Sequence, residues 1–190
     1  LRDWSSDVCS SDLAIGYAVP GAVLAVGVVM ALAWFDRAVD FLSMSLFGVS
    51  TGLIVSGTVV ALLFAYVTRF LALAHGAVEA GMGRITPSMD DAARSLGASA
   101  AATLRRVHIP MIRGSALTAI LLVFVDTMKE LPMTLLLRPF NFDTLATFTY
   151  QYAGDEQLEE AALSALTIVI AGIGPVILLS LAIRRSHRVI

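Results

Sequence analysis

The sequence predicts an all-α integral membrane protein, a helical bundle with about four transmembrane helices and a compact polar helix pair outside the bilayer. Hydrophobic residues make up 57% of the 190 and charged residues 15%, with a mean hydropathy of +0.81; a soluble domain is about half apolar. Three uncharged runs, Leu13 to Phe35, Phe41 to Thr68 and Ala161 to Ile183, each reach the ~20 residues that cross a hydrocarbon core as helix. Their apolar positions are not confined to one stripe at the helical period of about 3.6 residues, so no face is reserved for water.

The first thirteen residues, "LRDWSSDVCSSDL", differ in character from the rest of the chain. Asp3 to Leu13 coincide codon by codon with the in-frame translation of a common sequencing-library adapter, so residues 1–13 are expected to stand apart from a natural chain that begins near Ala14 and is truncated upstream. No basic region precedes an apolar run, as a signal peptide requires. The single cysteine, Cys9, falls in this stretch and carries no inference about redox compartment or metal binding. Arg2 set against Asp3, Asp7 and Asp12 accounts for the whole formal net charge of −2, leaving the remaining residues balanced.

Span one is expected over roughly Ile15 to Trp34, with a tolerable kink at Pro20-Gly21, followed by a short polar connection "FDRAVD". Span two should occupy much of Phe47 to Thr68 after an amphipathic lead-in "FLSMSLFG", its Ser50, Gly52, Ser56 and Gly57 permitting close helix contact. It should end at Arg69, the first of a series with Arg84, Arg94, Arg105, Arg106 and Arg113 in one loop and its flanks. Span three runs from about Ser115 towards Leu137. An acidic, aromatic loop "RPFNFDTLATFTYQYAGDEQLEE" comes next, then span four over Ala161 to Ile183 and a second basic cluster, "RRSHR". Two basic clusters an even number of spans apart share one side, with Asp155, Glu156, Glu159 and Glu160 on the other. The positive-inside rule therefore places the loop and the C-terminus in the cytoplasm.

The cytoplasmic loop, about residues 75–113, contains "SMDDAARSLGASAAATLRRVHIP", which reads as helix, turn, helix. Ser88 is the expected N-cap with Asp91 at capping-box spacing, Asp90 and Arg94 form an i,i+4 pair, and Gly97 suits a left-handed C-cap. A second alanine-rich helix, about Ser99 to Arg106, should end shortly before Pro110. Taken residue by residue, this could be an ordinary capped surface hairpin.

The whole pattern is more specific. "DAARSLGASAAATLRRVHIP" resembles the EAA loop of binding-protein-dependent ABC importer permeases, EAA-x3-G-x9-I-x-L-P, with Asp91, Ala92, Ala93, Gly97, Val107, Ile109 and Pro110 on the pattern. The departures are Asp for Glu, Val for Ile and Ile for Leu. The resemblance implies a type I permease helical bundle whose loop is a coupling helix seated in an ATP-binding subunit, with Asp91, Ala92, Ala93 and Gly97 at the contact. It also implies a bacterial inner-membrane location, a periplasmic or lipoprotein solute-binding protein, and either a missing N-terminal half or a second permease copy. No cofactor is implied for this chain, since ATP would be used by the partner subunit.

Span three carries "FVDTMKELPMTLLLRP", which puts Asp126, Lys129 and Glu130 inside the membrane, where ionisable residues are functional candidates by default. Counted from Ser115, Asp126 lies about 17 Å deep, near mid-bilayer. Lys129 can pair with Asp126 on one helix face, either as a neutralised structural pair or as part of a translocation path. Pro132 should break the helix and leave irregular backbone that lines a cavity.

"KELPMTLLLRPFNFDTLAT", Lys129 to Thr147, further resembles the iron(III)-type branch of these permeases, and the likeness extends back to "GYAVPG". That implies ferric iron as cargo, with 2-aminoethylphosphonate, thiamine and polyamines as rivals within the class. A secondary transporter using the Asp126 and Lys129 pair, a membrane-embedded enzyme and a structural anchor are the alternatives from other classes. The sequence contains no resident metal site: His75, His108 and His187 are scattered. Tyr150 and Tyr152 with Phe140, Phe142 and Phe148 read as an interfacial aromatic belt. No GK[ST] phosphate loop, nucleophile elbow or HExxH helix occurs, so the chain is not expected to be an enzyme or to need nucleic acid.

Overall fold

A computed structural model of the chain describes residues 17–186. The adapter-like stretch 1–13 and His187 lie outside the described residues. The described chain is helical, and four of its helices are long and apolar enough to cross a membrane: Gly21–Phe47, Val59–Met82, Ala100–Met128 and Leu158–Ile177.

Helix α1 spans Gly21–Phe47. Pro20 is its N-cap rather than an internal kink, because a residue without an N–H fits at a helix start, where that donor has no partner. The helix also runs straight through "FDRAVD", the expected connection. Asp36 and Asp40, one turn apart, face the segment 49–58, which folds back along α1. Asp36, fully buried, accepts the N–H groups of Val55 (3.0 Å) and Ser56 (2.8 Å). Asp40 accepts those of Thr51 (2.7 Å) and Gly52 (3.0 Å) and the Ser50 hydroxyl (2.7 Å). The carboxylates thus satisfy backbone donors that an irregular segment would otherwise leave unpaired.

Helix α2 covers Val59–Met82, about a dozen residues later than expected. The cause is the row of left-handed glycines, Gly48 (φ +68°), Gly52 (φ +62°) and Gly57 (φ +76°), which cannot continue a right-handed helix. The small residues assigned to a helix contact therefore build the loop, and Arg69 falls inside the span instead of ending it.

Helix α3 (Pro87–Ser95) and the single-turn α4 (Ala100–Thr103) form the polar hairpin. A π-helical turn over Leu104–His108 joins α4 to α5, Ile109–Met128, without a break. The short α6 (Pro132–Leu137), α7 (Leu145–Gly154) and the long α8 (Leu158–Ser186) complete the order. The expected acidic, aromatic loop thus contains a helix. Its start is set by a reciprocal cap, with Thr147 N–H donating to Thr144 Oγ1 at 3.3 Å and Thr144 N–H donating to Thr147 Oγ1 at 2.9 Å.

Three packings hold the bundle. Helix α2 lies along α5 so closely that a Cβ on Gly81 would overlap the Ser115 hydroxyl. The core, Ala25, Val28, Ala61, Leu62, Ala65, Met133 and Leu137, lies where α6 nests between α1 and α2, with alanines letting the backbones approach in the absence of a hydrophobic drive between helices in lipid. Helix α7 folds back on α8, linked by the Thr149 and Ser164 hydroxyls at 2.8 Å.

Candidate functional site: a polar hairpin and a broken membrane helix

The hairpin starts at Thr86 rather than Ser88. Pro87 occupies the first helical position, which its fixed φ favours, so the N-cap falls one residue before it. Ser88 lies inside the first turn, 2.8 Å from the Thr86 hydroxyl. Gly97 has φ +78°, and the helix ends in a full Schellman pattern: Gly97 N–H donates to Arg94 O at 2.9 Å and Ala98 N–H to Ala93 O at 3.0 Å. Ser99 then caps α4 by accepting from Ala102 N–H at 3.3 Å.

The chain does not stop before Pro110. In an unbroken α-helix Pro110 would lack its bond to the Arg106 carbonyl and its ring would press on that oxygen. The π turn shifts the ladder by one residue at this point, with Ile109 N–H bonding Leu104 O, so the helix passes the proline intact. The hairpin's second arm and a membrane span are therefore one body.

Of the motif residues, Asp91, Ala92 and Ala93 lie on α3, Gly97 in the turn, Val107 in the π turn, and Ile109 and Pro110 at the start of α5. Asp91, Ala92, Gly97, Ile109 and Pro110 are exposed, while Ala93 and Val107 are half-buried. Helix α3 buries none of its residues, and Leu96 at the tip is 87% exposed. A leucine so exposed beside the motif glycine is the kind of apolar anchor that a partner pocket takes. It lies in an x position of the motif, which is why the pattern did not mark it. Asp90 pairs with His108 Nε2 at 2.7 Å instead of with Arg94.

The second cluster forms where α5 ends. Lys129 leaves helical geometry, Glu130 and Leu131 cross over, and Pro132 opens α6. Asp126 and Lys129 are paired at 2.8 Å, and the Tyr17 hydroxyl donates to the other Asp126 oxygen at 3.3 Å. Lys129 also borders an apolar cavity of about 320 Å³ between α5 and α8, lined by Val125, Met128, Ile168, Gly172 and Val176 among others.

Glu130 does not join that pair. Its buried carboxylate lies 3.4 Å from Arg69 Nε and accepts from Met133 N–H at 3.4 Å, while its carbonyl takes the Thr134 hydroxyl at 2.7 Å. Arg69 Nη1 donates to Val19 O at 3.0 Å, and the guanidinium stands 6.0 Å from the ring centres of Tyr17 and Phe70. Gly21 packs against the pair: a Cβ there would meet Glu130 Oε1 at 2.6 Å and Arg69 Nη1 at 3.0 Å, so a larger residue would have to push these side chains aside. Arg69 lies about 15 Å from the Val59 end of α2 and about 20 Å from the Met82 end, so this pair sits near the middle of a span.

Read from the sequence, Arg69 is a loop cation, and its pairing with Glu130 goes unseen. The signal for it is the second uncharged stretch, "FLALA", directly after Arg69. A lone arginine inside an apolar pattern, with a lone glutamate in another span, reads as an intramembrane pair. Among the described residues no three His, Cys, Asp or Glu side chains converge as a metal site.

The family described as binding-protein-dependent transport system inner membrane component matches residues 3–190. The chain belongs to this family. Its described residues form a helical bundle of the type I kind, with four helices able to cross a membrane, as suits an inner membrane component. Similar proteins include Fe(3+)-transport system permease protein FbpB 2 of Haemophilus influenzae, 30% identical over 118 residues, 62% of this chain and 23% of the relative. A putative 2-aminoethylphosphonate transport system permease protein, PhnV of Salmonella typhimurium, is 29% identical over 126 residues, 66% of this chain and 47% of the relative. A putative ferric transport system permease protein, FbpB 1 of Haemophilus influenzae, is 27% identical over 152 residues, 77% and 23% respectively. The chain therefore spans about a quarter to about a half of the length of these relatives.

Proposed function

We propose that the chain is part of the membrane channel of an ATP-driven ABC importer that receives ferric iron from a solute-binding protein and passes it to the cytoplasm. The observation that carries the reading is the exposed α3 hairpin, whose Asp91, Ala92, Ala93 and Gly97 keep the motif spacing and whose second arm continues into a membrane span. A separate ATP-binding subunit would seat this hairpin and hydrolyse ATP; this chain contributes the lever. Val107, Ile109 and Pro110 shape the junction between lever and span. The basic residues of the hairpin and its flanks, Arg84, Arg94, Arg105, Arg106 and Arg113, support a cytoplasmic side for it.

Asp126 and Lys129 are the residues assigned to the path. Lys129 is 65% exposed at mid-span and Asp126, paired with it, 18%; the carboxylate, not the ammonium, could lend an oxygen to a passing cation without retaining it. Glu130, engaged by Arg69, and Pro132, at the start of α6, set the shape of the break beside them. Two of the named relatives are ferric permeases, which supports iron; the PhnV likeness supports 2-aminoethylphosphonate as the second reading.

Uptake of radioactive iron and of 2-aminoethylphosphonate by cells carrying the full-length permease and its partners tests both cargoes. Iron uptake that survives Gly97→Trp would sink the coupling assignment, because a side chain strains the left-handed turn and an indole would stand on the exposed face offered to the partner.

A further inference from the structure

We infer that Asp90 and His108 form a strut that transmits force from the coupling helix α3 to the membrane span α5, making them positioning residues for transport. The inference rests on the coupling reading above and goes beyond the motif, since both residues fall in its unspecified or flanking positions.

Helix α3 has little else to hold it. It buries no residue, and its chief packing partner is the single-turn α4. A push on α3 can reach the bilayer by two routes. One is the backbone through Leu96, Gly97 and Ala98, a single turn held at the end of α3 by the bonds of Gly97 N–H to Arg94 O and Ala98 N–H to Ala93 O. The other is the side-chain contact from Asp90 to His108, 2.7 Å long and joining residues 18 apart. His108 is the last residue of the π turn, and Ile109 after it opens α5. The His108 side chain is 18% exposed and that of Asp90 34%, so water screens the contact only in part. With this strut in place the hairpin is closed into a triangle of α3, turn and α4, and α3 cannot hinge at Gly97 without moving α5. Without it, α3 follows its partner while the span lags.

The test uses the full-length permease with its ATP-binding and solute-binding partners in nanodiscs. Two quantities are read: the ratio of ATPase rates with and without binding protein loaded with ferric iron, and the width of the distance distribution between spin labels at Ser95→Cys and Leu117→Cys. His108→Ala and Asp90→Ala should each lower the stimulation ratio about two- to fivefold, the range over which a partly exposed pair shifts an equilibrium, and should broaden the label distances. The double variant should be no worse than either single. His108→Gln, which keeps a donor that reaches Asp90, should recover most of the ratio. Unchanged label distances in both alanine variants would overturn the strut whatever the ATPase does, and so would additive losses in the double variant. A wild-type complex stimulated by neither ferric-iron-loaded nor 2-aminoethylphosphonate-loaded binding protein would instead overturn the coupling reading on which the strut depends, with the label widths still reporting whether the contact holds α3.

Discussion

Replacing Arg69 by Met should be among the most damaging single changes in the membrane body. The side chains of Arg69 and Glu130 are 17% and 9% exposed, near the middle of a span where no water competes. Removing one member of such a pair leaves the other charge uncompensated, at about 3–5 kcal/mol. The Val19 carbonyl also loses its donor, which adds about 1 kcal/mol. Glu130 meanwhile anchors the first turn of α6 through Met133 and Thr134, so the loss should spread to the core between α1, α2 and α6. Removing both charges with Arg69→Met and Glu130→Gln should recover most of the penalty, to within about 1–2 kcal/mol of wild type, because no uncompensated ion is left and the Gln carbonyl can still accept from Met133 N–H. The assay is a double-mutant cycle by detergent-titrated unfolding of the purified full-length permease, with uptake measured alongside. Additive penalties in the double variant, or single penalties below about 0.5 kcal/mol, would refute the buried pair as the brace of the helix break.

Contacts elsewhere in the bundle give three further expected outcomes. Gly81→Ala should cost about 1–3 kcal/mol through collision with Ser115, and Ser115→Gly in the same chain should restore stability in the same unfolding assay. Asp36→Ala orphans the N–H groups of Val55 and Ser56 at about 1–3 kcal/mol and should make the 49–58 segment a preferred site of limited proteolysis, which Asp36→Asn, keeping one acceptor, should do less. Asp126→Asn should lower the uptake rate at least about tenfold, about 1.4 kcal/mol of barrier, while the complex still co-purifies; unchanged uptake kinetics would confine the Asp126 and Lys129 pair to structure.

Composition and uncharged run length determined the membrane class and a count of about four spans, because crossing a hydrocarbon layer with satisfied backbone is a demand that any sufficiently long apolar stretch announces by itself. Short-range chemistry was legible in part: Gly97 is the left-handed C′ residue and Lys129 reaches Asp126 three residues away, but the N-cap of α3 fell on Thr86 and not on Ser88. What the tertiary structure alone decided concerns partners far apart in sequence. Asp36 and Asp40 turned a polar connection into helix because the amides they hold arrive from residues 49–58. Asp90 left its helical neighbour Arg94 for His108. Arg69 became an intramembrane cation because Glu130 came to meet it from the end of another span. Local periodicity reports what a segment does with its own backbone, whereas the partner of a buried charge is chosen by which helices pack together, and that choice leaves no period in the sequence.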